Sequence, residues 1–386
     1  MAQDFDFAVV GRGLWGSAAA MYLARSGAKV ALIGPDEPRY KRTASGPFAS
    51  HYDEGRITRS IATKPSWARW SSRSIARYRD LEAESGIQFY TPCGGAMAST
   101  DTAYMDAVFN TTKATRLSVD AFEGAALTKR LPMFDFAPGT RTALDATGGC
   151  INPRRMRQAH ENLAQAAGAQ VFDAFATDLS HGTVTLSGGD RVRADQILVA
   201  TGSYAALDSL LPQKPVMQIC ARTVYFAHID AAECARLTGM PSLIYQDPER
   251  DHYIYLLPPI RYPDGSWRIK IGGENMDNLV HSPEEARVWM KGLGSQAVAA
   301  DLEAVLRTLM PDLRIAGSST EACILAHTES DRPFLERVSP WLTMGTGCCG
   351  AGAKCADELG RLAARLAQGA SLDPSELGAE PTAALA

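Results

Sequence analysis

No stretch of this sequence approaches the roughly 18 unbroken apolar residues that a membrane-spanning helix needs, so no membrane partner is expected. A surplus of basic charge is missing too. Lys and Arg number 39 against 43 Asp and Glu, a formal net charge of −4. Such a balance offers no electrostatic footing to nucleic acid or to an anionic lipid surface. The eight cysteines, at 93, 150, 220, 234, 323, 348, 349 and 355, include no CxxC pair and no Cys/His cluster with zinc spacing, so no metal is expected. The N-terminus, MAQDFDFAVV, lacks the basic start and the longer apolar run of a secretion signal. Reduced thiols in a cytoplasmic protein are the expectation. There is no internal repeat.

With 386 residues, the chain exceeds one ordinary domain. FDFAVV (5–10) reads as a buried strand, SAAAMYLARS (17–26) as a helix and KVALI (29–33) as a second strand. Strand, glycine turn, helix and strand make a βαβ unit. Helices are expected at 65–84, 154–167, 283–309 and 354–368, and a short strand at 340–346. Between about 215 and 275, period-two alternation broken by Pro, Asp and Gly predicts an antiparallel sheet apart from the parallel one. The fold class is α/β: a Rossmann-like dinucleotide-binding domain with a second domain built on a mixed or antiparallel sheet. The first takes residues 1–85, 145–212 and 320–370, the second 86–144 and 213–319, and 371–386 form a flexible tail.

GRGLWG, Gly11 to Gly16, follows a strand and opens a helix, the context that the G-x-G-x-x-G fingerprint requires. Gly11 permits the tight turn, Gly13 lets backbone approach a pyrophosphate, and Gly16 lets helix and strand pack. Leu14 and Trp15 complete the turn, and the helix end presents free N–H groups to phosphate. The acidic residue that commonly binds ribose at the end of the second strand is absent, since Gly34 stands there. Asp36, Glu37 or a backbone group is left for that task. The motif alone does not separate FAD from NAD. ILVATG, ending at Thr201 and Gly202, the segment SHYDEGRITR and the late glycine run favour FAD.

Taken together, these residues resemble the D-amino-acid-oxidase superfamily of flavoproteins, most closely its monomeric sarcosine oxidase and N-methyltryptophan oxidase branch. The resemblance spans nearly the whole chain. It rests on Ser50, His51, Arg56 and Arg59; on Ile269-Lys270-Ile271-Gly272; on Cys323 ahead of ILAHTESDRPF; and on Gly347, Gly350, Gly352 and Lys354 before the last helix. It implies FAD, a small carboxylate-bearing secondary or primary amine as substrate, O2 as electron acceptor and H2O2 as product, in a monomer or homodimer. Alternatives with the same fold are a dehydrogenase passing electrons to another acceptor, and a flavin-binding subunit of a larger oxidase.

The resemblance also assigns roles. Arg59 and Lys354 hold the substrate carboxylate, and Lys270 promotes the reaction with O2. Each has a plainer reading: a solvated lysine at a helix start for Lys354, and a solvated strand face shared with Arg268 for Lys270. Cys323 matches a cysteine that joins flavin covalently, although a small core residue is the common role of cysteine. Cys348 and Cys349 are alternatives. Arg56 and His51 bind phosphate or the flavin ring, or else pair with Asp53 or Glu54. Glu274 stands where the branch has a histidine that touches substrate. Tyr253 and Tyr255 can line the pocket, and Val171, on a strand after Gly168, is assigned to the cofactor.

Overall fold

The computed structural model describes all residues except 1–3, 45, 47–49, 51, 274–277, 379–383 and 386. Two of the expected site residues, His51 and Glu274, therefore lie outside the described residues.

Three parallel strands set the architecture. Asp4–Val10 lies between Val30–Ile33 and Arg191–Val199, and the far half of Arg191–Val199 also pairs with Leu342–Thr346. Val10 is level with Val199, and Val199 with Met344, so all three strands end at one edge of the sheet. Each continues into a glycine turn: at Gly11, Gly202 and Gly347. The eight-stranded sheet is completed by Gln170–Phe172 at one side and by antiparallel hairpins at the other. Ligands of such sheets bind where parallel strands end, so the topology alone locates a site.

One face of this sheet is covered by four helices: Leu14–Arg25, Pro65–Ser85, Pro153–Ala166 and Ala356–Ala367. Their starts follow local chemistry. Asn152 caps the third helix by accepting from the Arg155 N–H, and Pro153 occupies its first position. The first helix begins on Gly13 with no side-chain cap, so its end N–H groups stay available. The last helix meets the first through Gly360. A Cβ there would fall 2.5 Å from the Ala18 Cβ and 2.9 Å from both the Ala19 N and the Trp15 O. Backbone cannot yield as a side chain can. Gly360→Val should therefore cost about 3 kcal/mol or more and lower the melting temperature in a thermal-shift assay by several degrees. An unchanged melting temperature would mean that the helices do not meet at this point.

A second eight-stranded sheet runs Gly317–His327, Gln218–Ile229, Trp267–Gly273, His252–Arg261, Ser242–Asp247, Gly95–Ser99, Arg141–Asp145 and Asp120–Glu123. It is mixed rather than purely antiparallel, because Ser242–Asp247 pairs in parallel with Gly95–Ser99. Strand Gly317–His327 lies wholly in this sheet and straddles the boundary expected at 319 and 320. Helix Gln296–Leu309 covers the sheet's other face. The single helix expected at 283–309 is two, Pro283–Lys291 and Gln296–Leu309. Gly294, at φ +78°, turns the chain between them, and Ser282 and Ser295 cap the two starts. A three-stranded sheet, Arg56–Thr58, Gly149–Ile151 and Tyr90–Thr91, sits apart from both. Within the expected tail, Pro374–Leu377 forms a turn of helix that is docked: the Trp70 indole donates to the Glu376 carbonyl at 2.6 Å, and Arg365 pairs with the Glu376 carboxylate.

Candidate active site

The glycine turns at the strand ends open onto one cavity of about 450 Å³. Gly11, Gly13, Leu14 and Trp15 line it with Thr201 and Gly202, and so do Cys323 and most of the segment from Gly345 to Ala353. Four parts of the sequence separated by as many as 340 positions thus share one wall. The turns are built for close approach. A Cβ at Gly11 would lie 2.3 Å from the Ala200 carbonyl, and one at Gly16 would lie 1.8 Å from the Gly11 carbonyl. The Trp15 indole donates to the Gly352 carbonyl at 3.0 Å, tying the first turn to the last. The buried Thr201 hydroxyl has no hydrogen-bond partner among the described residues. A large cavity walled by glycine turns, a helix end with free N–H groups and an orphaned hydroxyl fit a dinucleotide such as FAD.

The missing acid at the end of the second strand has a steric reason. A Cβ at position 34 would fall 2.6 Å from the Arg12 Cβ and 2.7 Å from its N. Arg12 was not singled out in the sequence, although it stands inside the fingerprint. Its guanidinium donates twice to Glu161, at 2.6 Å each, and lies 3.4 Å from Asp36. Asp36, more than half exposed, lines the cavity with Glu37. Val171 pairs with Leu32 and does not line it. Cys349 turns inward, its thiol 3.5 Å from the Thr328 hydroxyl, while Cys348 lines the cavity in its place.

Around Cys323 the charges are dense. Arg56 lines the cavity with its Nη2 4.0 Å from the Cys323 Sγ, and it donates to the Ser50 carbonyl at 2.9 Å. It also pairs with Asp53, the plainer alternative weighed from sequence, while remaining at the cavity wall. Asp53 binds the Lys270 ammonium as well and accepts from the Tyr262 hydroxyl at 2.9 Å. Lys270 is fully buried, so the plainer alternative of a solvated strand face does not hold. Its strand is paired on both sides within the sheet, and its Nζ also donates to the Gly55 carbonyl at 2.9 Å. Burial, with Arg56 nearby, brings the Lys270 pKa down to about 8 despite Asp53. The two cations hold the Asp53 carboxyl well below the usual range, against the opposing effect of burial. Tyr255 lies with its ring centroid 5.5 Å from the Lys270 Nζ, and burial pushes its phenol upward.

Arg59 and Lys354 form a separate cluster. Lys354 is 4% exposed, and its Nζ has no hydrogen-bond partner among the described residues. The Nε of Arg59 has none either, while its Nη1 donates to the Ile61 carbonyl. Burial lowers both pKa values, that of Lys354 to about 8, and Arg59 adds to the lowering at Lys354. Asp145 is the nearby anion, but its oxygens are engaged by neutral donors. Ser60 donates from N and Oγ at 2.6 Å each, and Thr147 from N at 2.8 Å and Oγ1 at 2.6 Å. Two buried cations with free donors and an occupied neighbouring carboxylate leave a demand for an anion. The buried Cys355 thiol beside them went unmarked in the sequence.

The family model described as FAD dependent oxidoreductase (DAO) matches residues 6–366. N-methyl-L-tryptophan oxidase of Citrobacter koseri is 25% identical over 379 residues, 95% of each chain. Monomeric sarcosine oxidase of a Bacillus species is 24% identical over 265 residues, 66% of this chain and 65% of its own. The fold is shared with the solved structure of NikD, an unusual amino acid oxidase essential for nikkomycin biosynthesis. The TM-score is 0.78 at 20% identity, covering 100% of this chain and 99% of that one.

Proposed function

We propose, since the chain belongs to the FAD dependent oxidoreductase (DAO) family, that it is an amine oxidase. Its substrate is a small amine bearing a carboxylate, resembling an N-methyl amino acid, and its acceptor is O2, which leaves as H2O2. Residues 1–85, 145–212 and 320–370 serve as the FAD-binding domain, and 86–144 with 213–319 as the substrate domain. The observation that carries this reading is the pair of buried cations, Arg59 and Lys354, whose free donors are bonded to no carboxylate among the described residues. A substrate carboxylate supplies that anion, and an amine on its α-carbon then has a fixed position.

Bound FAD supplies the acceptor for the hydride equivalent drawn from the C–N unit. The chain's share is binding and electrostatics. The turn from Gly11 to Gly16 would hold the phosphates, Asp36 would bind the ribose, and Arg56 beside Cys323 would hold the flavin ring, all of them residues of the cavity wall. Arg59 and Lys354 orient the carboxylate by charge-assisted hydrogen bonds. Lys270 keeps a positive charge close to Arg56, where electrons pass to O2. The amine reacts in its neutral form, so no protein base is required, and the imine product hydrolyses in water.

Cys323 is the point of covalent attachment to the flavin, since its thiol lies in the cavity wall beside Arg56. Acid precipitation of the purified protein should leave yellow colour in the pellet, and Cys323→Ala should release all of it to the supernatant. Colour wholly soluble in acid from the parent protein would end the covalent assignment.

A further inference from the structure

Outside this site lie Cys93, Cys150, Cys220 and Cys234, and two of these thiols meet. The Sγ atoms of Cys93 and Cys150 lie 3.9 Å apart, between residues separated by 57 positions. The contact follows from how the backbones meet. Cys150 pairs across strands with Thr91. A Cβ at the neighbouring Gly149 would lie 2.1 Å from the Thr91 carbonyl and 2.8 Å from the Cys93 N, so the two chains touch at this point. Glycine at 149 is what permits that approach. The two sulfurs have only to close from 3.9 Å to bonding distance.

The two thiols are not equivalent. Cys93 is partly exposed and lines a cavity of about 220 Å³ that it shares with Gly94, Asp120 and Arg130. Cys150 is buried behind it. The pair's hydrogen bond favours the Cys93 thiolate and holds the proton on Cys150. A partly exposed thiol backed at contact distance by a buried one is the arrangement of a peroxide-reactive thiol and its resolving partner.

We propose that Cys93 and Cys150 form a reversible disulfide when a hydroperoxide enters the cavity beside Cys93. The Cys93 thiolate attacks one peroxide oxygen. The O–O bond breaks, hydroxide leaves and is protonated to water, and Cys93 becomes a sulfenic acid. The Cys150 sulfur then displaces that oxygen as a second water, carrying its own proton to the leaving group. With H2O2, two thiols lose two electrons in all, and the peroxide gains them as two waters. The oxidant can be added from outside, so the inference stands apart from the proposed oxidase activity, which would supply it internally.

The site matters for the rest of the molecule because of where Cys150 sits. Its strand pairs with Arg56–Thr58, with Ile57 opposite Cys150 and Arg56 opposite Ile151. The disulfide would pin the strand that supports Arg56 to the segment 91–94.

The test uses the flavin-loaded full chain, treated with stoichiometric H2O2 and quenched in acid. Free thiols counted after denaturation should fall by two relative to the untreated protein. Non-reducing peptide mapping should join the peptide of Cys93 to that of Cys150, and dithiothreitol should separate them. Cys150→Ser should leave Cys93 as a sulfenic acid that reacts with dimedone, whereas Cys93→Ser should leave Cys150 unlabelled. A count that does not fall, or a link that maps to other cysteines such as the adjacent Cys348 and Cys349, would overturn the proposal. Dimedone labelling of Cys150 in Cys93→Ser would overturn the order of attack.

Discussion

Replacing Lys354 by methionine should weaken the binding of simple carboxylates such as acetate and benzoate roughly 10- to 100-fold. A charge-assisted hydrogen bond contributes about 1.5–3 kcal/mol, and each 1.4 kcal/mol is a tenfold change in affinity. Methionine keeps most of the volume beside the Trp67 ring, which now lies 5.8 Å from the Nζ. Removing an unpaired buried cation also leaves no orphaned partner behind, so the variant should fold at least as well as the parent. Binding is read from the change in flavin absorbance on titration. The pH dependence adds a second signature. Lys354 has a pKa of about 8 in the free protein, lowered by burial and by Arg59. The protonated form binds the anion, so affinity should be full below about pH 8 and should decline as the pH rises through it. In Lys354→Met that decline should vanish, while in a Lys270 variant it should persist. Equal affinity in parent and Lys354→Met would show that the carboxylate is held elsewhere.

The phosphate end of the site was legible because its information is local. Glycine spacing, strand context and helix start all fall within Asp4–Arg25, and the structure places Gly11, Gly13, Leu14 and Trp15 on one cavity wall. The late glycine turn was legible for the same reason. What the sequence concealed is pairing at long range. Nothing near Lys270 indicates that its ammonium binds an aspartate 217 positions earlier, and period-two alternation, which put it on one face with Arg268, left a solvated face open as the plainer alternative. Alternation cannot distinguish a wetted face from one roofed by another part of the chain. Gly34 looked like a missing ribose ligand until Arg12 was seen pressed against it. The contact of Cys93 with Cys150 depends in the same way on two strands meeting at Gly149. The break within 283–309 was written locally, as Gly292 and Gly294, but apolar periodicity on both sides ran it into one helix.

Lys270→Met should slow reoxidation of the reduced enzyme by O2 about 100-fold or more, the usual scale for removing one preorganised charge from a reacting centre. Reduction by substrate should change far less. The reasoning is electrostatic. O2 gains negative charge as it accepts electrons, and a nearby cation favours that change, whereas the substrate amine enters neutral. Lys270, Arg56 and Asp53 together carry one net positive charge next to the cavity wall that Arg56 and Cys323 form. The substitution removes that surplus. It should not unfold the protein, because Asp53 keeps Arg56 and the Tyr262 hydroxyl as partners. Stopped-flow absorbance separates the halves: reduction is followed without oxygen, reoxidation after mixing reduced enzyme with aerated buffer. The Lys270 pKa of about 8 sets a further expectation. Reoxidation in the parent should be fastest below about pH 8 and should fall above it as the ammonium loses its proton, and the variant should be slow and flat across that range. Equal slowing of both halves would make Lys270 a general support of the site. If neither half slows, its ammonium serves only as the buried countercharge of Asp53, and the dehydrogenase reading, with another electron acceptor, becomes the better one.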